Sequence, residues 1–296
     1  MVSPSYKVVS YLDQRGWCLD RHTDDLSKYA KTLKYIKVIR DEEIPPADLT
    51  LIWNWPYLSK LERQSKVTTF LLDHWSIDFY QKKGLDFFDL IHQKADYLIV
   101  INEELWRRVI PFMKIPVFKL SYGIDSTYFN PKPLPKNLIF GWCGNSNASP
   151  TQDDFKGFQT LRKVCQKLDV PFIELSHEGR VGLYEVVEHY YSKVAVHICF
   201  SVSEGDNNPL REALCCGRPV ITTPVGTVAN LVSHNLNGLI INRDSIELAN
   251  SIRYFVENPN EVRRMSQNCS ILSKTESWNS KAPLWETAFK MMIENK

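Results

Sequence analysis

Short apolar runs alternate with amphipathic, helix-like stretches along most of this 296-residue chain, and this alternation is what most constrains its fold. Strands that alternate with helices predict parallel sheets covered on both faces. The predicted strands are 7–12, 49–52, 67–72, 97–101, 117–120, 138–142, 172–174, 194–199, 220–223 and 239–241. The predicted helices are 24–33, 103–110, 158–168, 183–190, 209–216, 246–255 and 284–294. The chain is therefore expected to be an α/β protein.

A proline-rich segment divides this pattern into two series. Residues 128–136 contain three prolines within the five residues 131–135, and each Pro disfavours both helix and central strand. We predict two doubly wound, Rossmann-like domains, at 1–135 and 136–280, facing a cleft, followed by a terminal helix at 281–296. Open parallel sheets bind ligands beyond the carboxyl ends of their strands, so the cleft is the expected site.

The most informative segment, residues 203–221, connects one predicted strand to the next. Its helix is predicted to begin at Asn208 and Pro209, because Asn is a good N-cap and Pro is favoured at the first helical position. Glu204 then lies in the loop above the strand end, and Glu212 lies one turn into the helix. Both carboxylates can face the mouth of the sheet. Between them, the helix N-terminus offers backbone N–H groups to an anion.

This segment resembles the signature of retaining GT-B glycosyltransferases, in particular glycosyltransferase family 4 (glycosyl transferases group 1). The family pattern is Glu-Gly-x-x-x-Pro-x-x-Glu-Ala, followed by a small residue and Gly-x-Pro-Val. The matching positions are Glu204, Gly205, Pro209, Glu212, Ala213, Gly217, Pro219 and Val220. Residues 224–232 and the Asn-Gly-Leu turn at 237–239 are similar to the family's next loop, helix and turn.

The resemblance continues upstream of this segment. Residues 121–131 are similar to the family's Asn-Gly-Val-Asp-x-x-x-Phe-x-Pro turn. Residues 141–144, together with Lys156 and the glycine after it, are similar to its phosphate-binding stretch. Asn145 stands where the family has an Arg, so one cation is unaccounted for. Arg180 and Arg211 are the candidates that could replace it.

The resemblance implies a role for each matched residue. Glu212 accepts hydrogen bonds from the ribose hydroxyls of a nucleotide, and Glu204 contacts the sugar and stabilises positive charge at its anomeric carbon. Lys156 neutralises the departing diphosphate, and metal is not expected because Lys and the helix N-terminus do that work. Backbone N–H groups around 207–210 bind phosphate or sugar oxygens. The other predicted donor-binding residues are Gly205, Asn207, Asn208, Pro209, Leu210, Asn145, Arg180 and Gly16.

Two residues of the first domain complete the predicted site. Gly16 follows the first strand, where family members have a glycine-rich turn and where Gly permits close approach of the backbone to a ligand. His74 follows the strand at 67–72, where the family often has a His near the reacting sugar. The alternatives are an ordinary strand–helix turn at Gly16 and a structural role for His74, with Asp73 as a neighbouring candidate.

Composition bears on partners and compartment. The formal net charge of +2 gives no overall case for nucleic acid, although a local basic patch stays open. The seven cysteines are an odd number without a Cys-x-x-Cys pair, which favours reduced thiols. No apolar run approaches the roughly 20 residues that cross a bilayer, and the N-terminus lacks a signal-peptide core. We expect a cytoplasmic protein, either free or peripheral to a membrane.

The predicted function is that of an enzyme without a cofactor. It is expected to be a metal-independent, retaining hexosyl- or related glycosyltransferase that moves a sugar from a UDP- or GDP-type donor to an acceptor hydroxyl. The expected acceptor is a glycan, a lipid-linked molecule or a small molecule. Two alternatives remain: the same chemistry on a nucleic-acid base, as in viral DNA modification, and a non-catalytic nucleotide-binding partner subunit, which Asn145 supports.

The last predicted helix has one apolar face. Leu284, Trp285, Ala288, Phe289 and Met292 recur at helical spacing. In GT-B proteins the final helix crosses back from the second domain to the first. The resemblance therefore implies that this face is buried against the first domain.

Overall fold

The chain folds into two compact units, each built on one parallel sheet. The structure, a computed structural model, describes residues 6–12, 15–16, 18–53, 65–72, 86–146, 154–176, 182 and 185–296. Unit 1 comprises Met1–Gly123 together with Trp278–Lys296, and unit 2 comprises Ile124–Ser277. Among the described residues, no helix is long and apolar enough to cross a membrane. The two-sheet α/β architecture predicted from the sequence is confirmed.

The sheet of unit 1 contains six described strands. They are β1 (Lys7–Leu12), β2 (Lys34–Ile39), β3 (Ala47–Ile52), β4 (Ser65–Leu72), β5 (Tyr97–Val100) and β6 (Val117–Lys119). All pair in parallel, in the order β2-β1-β3-β4-β5-β6. Strands β1, β3, β4 and β5 are mostly buried, which explains their continuous apolar runs.

Strand β2 is absent from the sequence-based prediction. It lies at the edge of the sheet and pairs with β1 alone among the described strands. Its side chains are mostly half-buried, with Lys34 exposed. Lys37 interrupts the apolar run and forms ion pairs of 2.6 Å with both Asp20 and Asp24. An edge strand tolerates such charge, and this weakens the apolar signal by which a strand is recognised.

The helices described in unit 1 are α1 (Cys18–Tyr29), α2 (Phe87–Lys94), α3 (Glu103–Val109) and the final helix α10 (Trp278–Glu294), with a 3₁₀ turn at Ile110–Phe112. Helix α1 starts before the predicted helix at 24–33. Gly16 has a φ of 78°, in the left-handed region, and its N–H donates to Asp20 Oδ2 at 2.7 Å. The turn at Gly16 thus closes onto the first turn of α1.

Helix α10 packs into the core of unit 1, as the sequence predicted. Trp285 stacks on Trp53 with ring centroids 5.9 Å apart, and its Nε1 donates to the backbone oxygen of Ser121 at 3.0 Å. Phe289 packs against Tyr35. The residues of α10 that are buried in this core are Trp278, Ala282, Trp285, Ala288, Phe289 and Met292. Apart from the adjacent pair Ala288 and Phe289, successive positions are three or four residues apart, which is one face of a helix.

The assignment of Leu284 to that buried face is wrong. Its side chain is 58% exposed, whereas the neighbouring Trp285 is fully buried. Consecutive residues of a helix point about 100° apart, so one neighbour of Trp285 must leave the face. The helix also begins at Trp278, earlier than the predicted starts at 281 and 284, and it accommodates Pro283 in its interior.

The sheet of unit 2 has five described strands. They are β7 (Phe140–Gly144), β8 (Phe172–Ser176), β9 (Val196–Cys199), β10 (Val220–Thr222) and β11 (Gly238–Ile240). All pair in parallel, in the order β11-β10-β9-β7-β8. The chain passes from β7 to β8 on one side and then returns to β9 on the other. The carboxyl ends of β7 and β9 therefore form a topological switch point, where open α/β sheets bind ligands.

The described helices of unit 2 are α4 (Phe158–Leu168), α5 (Asn208–Cys215), α6 (Val228–Leu231), α7 (Ser245–Glu257), α8 (Pro259–Cys269) and α9 (Leu272–Thr275), with a π-helical turn at Val187–Tyr191. Helix α4 has the predicted bounds, and α5 and α7 lie within two residues of theirs. Helix α8 is missing from the sequence-based prediction. Its buried residues are only Val262, Met265 and Cys269, a narrow apolar stripe in a polar segment.

The proline-rich segment belongs to unit 2. Phe129 is buried and packs edge-on against Tyr191, and the N–H of Lys132 donates to the backbone oxygen of Cys216 at 3.1 Å. The units therefore change at 123/124 and 277/278, whereas the sequence analysis placed its boundaries at 135/136 and 280/281. Prolines disfavour helix and central strand, but they do not prevent a segment from packing on a domain.

His197, in β9, makes the stability of unit 2 pH-dependent. The ring is buried, with its Nδ1 2.8 Å from the Tyr190 hydroxyl, and burial lowers the pKa of His197 to about 3. Because an unfolded chain protonates His near pH ~6.5, it binds more protons than the folded chain below that pH. The free energy of unfolding should therefore fall as the pH drops from about 6.5 towards 3.

We expect His197→Gln to flatten this pH dependence, by up to about 1.4 kcal/mol per pH unit. The measurement is urea unfolding of both proteins between about pH 7 and pH 4, with exchange of the β9 amides as the probe. Parallel profiles for the two proteins would contradict the expectation.

Candidate active site

The candidate site lies in unit 2, at the carboxyl ends of β7 and β9. Gly144 ends β7 and is followed by Asn145, and Cys199 ends β9. From Cys199 the chain runs through a loop that carries Glu204 to the start of α5. These loops border the switch point of the sheet, so the sequence-predicted residues of unit 2 fall at the position where such sheets bind ligands.

An ion pair between Glu204 and Lys156 lies in this loop region. Lys156 Nζ lies 2.6 Å from Glu204 Oε2, and the two side chains are 19% and 9% exposed. The other carboxylate oxygen, Oε1, accepts a hydrogen bond of 2.6 Å from the Ser201 hydroxyl. Both oxygens of Glu204 are thus engaged by donors, and this fixes the plane of the carboxylate.

Two tight backbone contacts hold the ion pair in place. Gly157, next to Lys156, has a φ of 73°, and a Cβ there would lie 2.0 Å from the backbone oxygen of Phe200. Gly226 has a φ of 57°, and a Cβ there would lie 2.4 Å from the backbone oxygen of Gly205. A side chain at position 157 would therefore push the Lys156 segment away from the end of β9, and one at position 226 would push its turn away from the loop that carries Glu204.

Glu212 lies on α5 and is 5% exposed. Its Oε2 accepts a hydrogen bond of 2.8 Å from the Tyr191 hydroxyl. The same hydroxyl is 3.2 Å from the backbone oxygen of Pro209, in the first turn of α5. The Tyr191 hydroxyl thus connects the Glu212 carboxylate to the first turn of α5, the helix that carries Glu212.

The first turn of α5 uses its own N–H groups. Asn207 caps the helix by accepting from Leu210 N at 3.1 Å, and its amide nitrogen is 2.6 Å from Cys199 Sγ. The N–H of Asn208 donates to the Asp206 backbone oxygen, and Pro209 has no N–H. In this conformation the N–H groups of Asn208 and Leu210 are engaged within the loop and the cap, and the binding of phosphate or sugar oxygens by N–H groups around 207–210 stays a prediction. These residues also shape the loop.

Arg211 does not supply the missing cation. Its guanidinium is buried and forms ion pairs with Asp206, at 2.8 Å, and with Glu276. These two carboxylates raise the pKa of Arg211 against the opposing effect of burial, which is the largest influence on it. A guanidinium engaged in this way links the loop before α5 to the segment after α9. It has a structural role in this conformation.

The remaining predicted site residues lie in different parts of the chain. Asn145 is half-buried directly after β7, at the same end of the sheet as Glu204. Gly16, in unit 1, is exposed, and its N–H is engaged by Asp20 as described above. His74 and Arg180 lie outside the described residues.

Ser201 and Tyr191 are absent from the site residues predicted from the sequence. Ser201 is three residues before Glu204 in the same loop, so proximity to a predicted site residue could have identified it. Tyr191 is 21 residues before Glu212. It lies in the turn before β9, whereas Glu212 lies on α5 after that strand, and no spacing in the sequence indicates that the two side chains meet.

The arrangement combines a fixed cation, a carboxylate beside it and a second carboxylate on an adjacent helix. A Lys ammonium has three donors, so Lys156 can retain Glu204 while it binds an anion. Carboxylates accept hydrogen bonds from hydroxyl groups and stabilise nearby positive charge. Among the described residues, no group of three or more His, Cys, Asp or Glu side chains is arranged to hold a metal ion. The site suits a ligand that carries both anionic groups and hydroxyls.

Comparison with known structures identifies the fold. A sucrose-phosphate synthase from Thermosynechococcus elongatus superposes with a TM-score of 0.72 at 14% identity, over 98% of this chain and 100% of that one. HepE from Anabaena in complex with UDP gives 0.70 at 15% identity, over 96% and 99%. A glycosyltransferase from Rickettsia africae gives 0.70 at 12% identity, over 99% and 100%. At these identities the likeness shows the fold alone.

The family comparison concerns the segment that carries the two carboxylates. Residues 159–258 match the model of the family described as "Glycosyl transferases group 1". No curated protein sequence matches the chain. Residues 159–258, which include Glu204 and Glu212, thus match the group 1 glycosyltransferase model, and the fold of the chain is that of the GT-B glycosyltransferases.

Proposed function

We propose that this protein transfers a sugar from a nucleotide diphosphate sugar to an acceptor hydroxyl, with retention at the anomeric carbon and without a metal ion. The observation that carries the proposal is the Lys156–Glu204 ion pair at the end of β9, one loop before the helix that carries Glu212. The proposal is supported by the family match and by the UDP and UDP-glucose found in HepE of the same fold. Retention rests on the sequence resemblance.

Each residue of the site has a task in this reaction. Glu212 accepts hydrogen bonds from the ribose hydroxyls, and Glu204 contacts the sugar. The bond between the anomeric carbon and the diphosphate breaks as the acceptor oxygen bonds to that carbon, and the acceptor proton passes to a phosphate oxygen of the leaving group. Positive charge grows on the sugar and negative charge on the diphosphate. Glu204 stabilises the first and Lys156 the second, which is electrostatic catalysis by preorganised groups.

Other members of the site stay predictions. We place Gly205, Asn207, Asn208, Pro209, Leu210 and Asn145 around the donor. His74 is proposed as a catalytic residue, and Gly16 and Arg180 as donor-binding residues. The donor is of the UDP or GDP type. The acceptor is a glycan, a lipid-linked molecule or a small molecule, with a nucleic-acid base as the alternative.

The experiment that tests the proposal is a thermal-shift screen against UDP, GDP, ADP and their sugars. A ligand that binds only the folded chain raises the melting temperature by mass action. Release of free sugar from the stabilising donor, with and without EDTA, then tests turnover and metal independence. Stabilisation without turnover, in the presence of candidate acceptors, would favour a non-catalytic nucleotide-binding subunit. No shift with any nucleotide would contradict both functions.

Glu212→Ala should weaken nucleotide binding. The ribose hydroxyls lose a charged acceptor, and a hydrogen bond to a charged group is worth about 1.5–3 kcal/mol, or roughly a 10- to 150-fold rise in Kd. Calorimetric titration with the nucleoside diphosphate found in the screen measures this. Glu257→Ala, an exposed Glu at the end of α7, is the matched control. Equal affinities for the two variants would remove Glu212 from the site.

A further inference from the structure

A buried pair of tyrosines lies on a π-helical turn behind the candidate site. The turn spans Val187–Tyr191, and the side chains of both Tyr190 and Tyr191 are fully buried. The Tyr190 hydroxyl faces His197 in β9, at 2.8 Å from Nδ1. The Tyr191 hydroxyl faces Glu212 instead. Consecutive residues of a helical turn point in different directions, so the two hydroxyls reach different partners in the core, and π turns are frequent at functional sites.

The hydrogen bond from Tyr191 to Glu212 joins a phenol to a carboxylate in a buried environment. The distance from Oη to Oε2 is 2.8 Å. Burial, together with the charge of Glu212, raises the pKa of Tyr191 well above its usual value, so the phenol remains a donor. A hydrogen bond to an ionised acceptor is about twice as strong as a neutral one. It therefore restricts rotation of the carboxylate about its last side-chain bond.

Tyr191 is itself held in position from both its main chain and its ring. The buried Arg218 donates from Nε to the backbone oxygen of Tyr191 at 2.7 Å, and from Nη2 to the backbone oxygen of Pro133 at 2.7 Å. The Phe129 ring packs edge-on against Tyr191, with ring centroids 6.2 Å apart. This support comes from segments distant in sequence. A hydroxyl held this way can orient its partner accurately.

We propose that Tyr191 is a positioning residue that aligns the Glu212 carboxylate for recognition of the nucleotide ribose. The inference rests on the proposed function. Tyr191 engages Oε2 and sets the plane of the carboxylate, so that the ribose hydroxyls meet an acceptor already oriented towards them. Without the phenol, the Glu212 carboxylate loses the hydrogen bond at Oε2 that orients it. The consequence is a loss of selectivity for ribose over deoxyribose, with the rest of the nucleotide bound as before.

The test compares a nucleoside diphosphate with its 2′-deoxy form. The nucleotide is whichever of UDP, GDP and ADP binds the unaltered protein, and Kd for both forms is measured by calorimetry. We expect the unaltered protein to prefer the ribose form by about tenfold or more, the value of one charged hydrogen bond. Tyr191→Phe should remove most of this preference, with a smaller rise in Kd for the deoxy form, which retains the 3′-hydroxyl alone. Tyr190→Phe, the matched control, should retain it.

Two further variants separate positioning from general structural damage. Glu212→Gln should reduce the preference on its own, and the double variant with Tyr191→Phe should show little further loss, because both changes act on one interaction. p-Aminophenylalanine at position 191 keeps the ring and an N–H donor, so it should restore the preference to within about threefold of the unaltered protein. If Tyr191→Phe does not fold, this variant still tests the proposal, because loss of the preference there would overturn it.

The outcomes distinguish the inference from the function on which it rests. If no nucleotide binds the unaltered protein, the proposed function fails. If Glu212→Gln abolishes the preference and Tyr191→Phe retains it, the function stands and the positioning role is overturned. If Tyr191→Phe weakens both forms equally, the phenol has only a structural role and the inference is likewise overturned.

Discussion

Trp285→Ala is expected to destabilise unit 1 by about 3–5 kcal/mol, the cost of replacing a buried Trp with Ala. The indole is fully buried and lies in a stack with Trp53 and Tyr122. Its Nε1 also donates to the backbone oxygen of Ser121. The substitution therefore leaves a cavity and removes the donor that satisfies that oxygen. Urea unfolding followed by far-ultraviolet circular dichroism measures the loss.

The neighbouring Leu284 provides the matched control. Its side chain is 58% exposed on the same helix, so Leu284→Ala should change the free energy of unfolding by no more than about 0.5 kcal/mol. Comparable losses for the two variants would mean that α10 does not present Trp285 to the core of unit 1. A large loss for Trp285→Ala alone supports the assignment of the helix face.

Glu204→Gln is expected to lower turnover by about 10²- to 10³-fold, as removal of one electrostatic stabiliser of a transition state does in other enzymes. The substitution keeps the shape of the side chain and removes its charge. The effect should fall on kcat more than on donor affinity, because positive charge on the sugar develops only as the bond to the diphosphate breaks. Steady-state kinetics with the donor and acceptor, together with calorimetric donor binding, separate the two quantities.

Two comparisons make the Glu204 result specific. Glu257→Gln changes an exposed carboxylate of the same unit and should leave kcat unaltered. A melting temperature close to that of the unaltered protein would show that the Glu204 loop still folds without the ion pair to Lys156. If kcat for Glu204→Gln stayed within about threefold of the unaltered protein, the catalytic role of this carboxylate would be refuted.

The elements best predicted from the sequence are those whose signals are local. Helix α4 has the predicted bounds because its apolar residues recur at helical spacing. Gly157 precedes the helix and Asp169 follows it. The start of α5 was predicted from an Asn–Pro pair, and the structure places Pro at its second residue, with Asn207 as the cap. Capping and proline preferences act within a few residues, so they can be read without knowledge of the fold.

Predictions failed where local signals were weak or ambiguous. Strand β2 is an edge strand with lysines, and α8 has a stripe of only three buried residues. The proline-rich segment looked like a linker, but Phe129 and the backbone around it pack on unit 2. In each case the sequence pattern was compatible with either an exposed loop or a packed segment. The residues against which the segment packs are distant in the sequence.

The candidate site shows the same division. The positions of Glu204 and Glu212 beside a strand end follow from local sequence, because strand, loop and helix follow one another without interruption. The partners of these residues depend on the fold of the whole unit. Lys156 pairs with Glu204, and Tyr191 donates to Glu212. Arg211 forms ion pairs with Asp206 and Glu276.

The physical reason is the range over which each interaction acts. Backbone propensity, capping and apolar periodicity operate over a few residues, and so they are present in the sequence itself. Ion pairs and buried hydrogen bonds depend on directions and distances of a few ångströms between groups that may be separated by 48 residues, as Lys156 and Glu204 are. Sheet order brings such groups together, and that order is set by the packing of the whole unit.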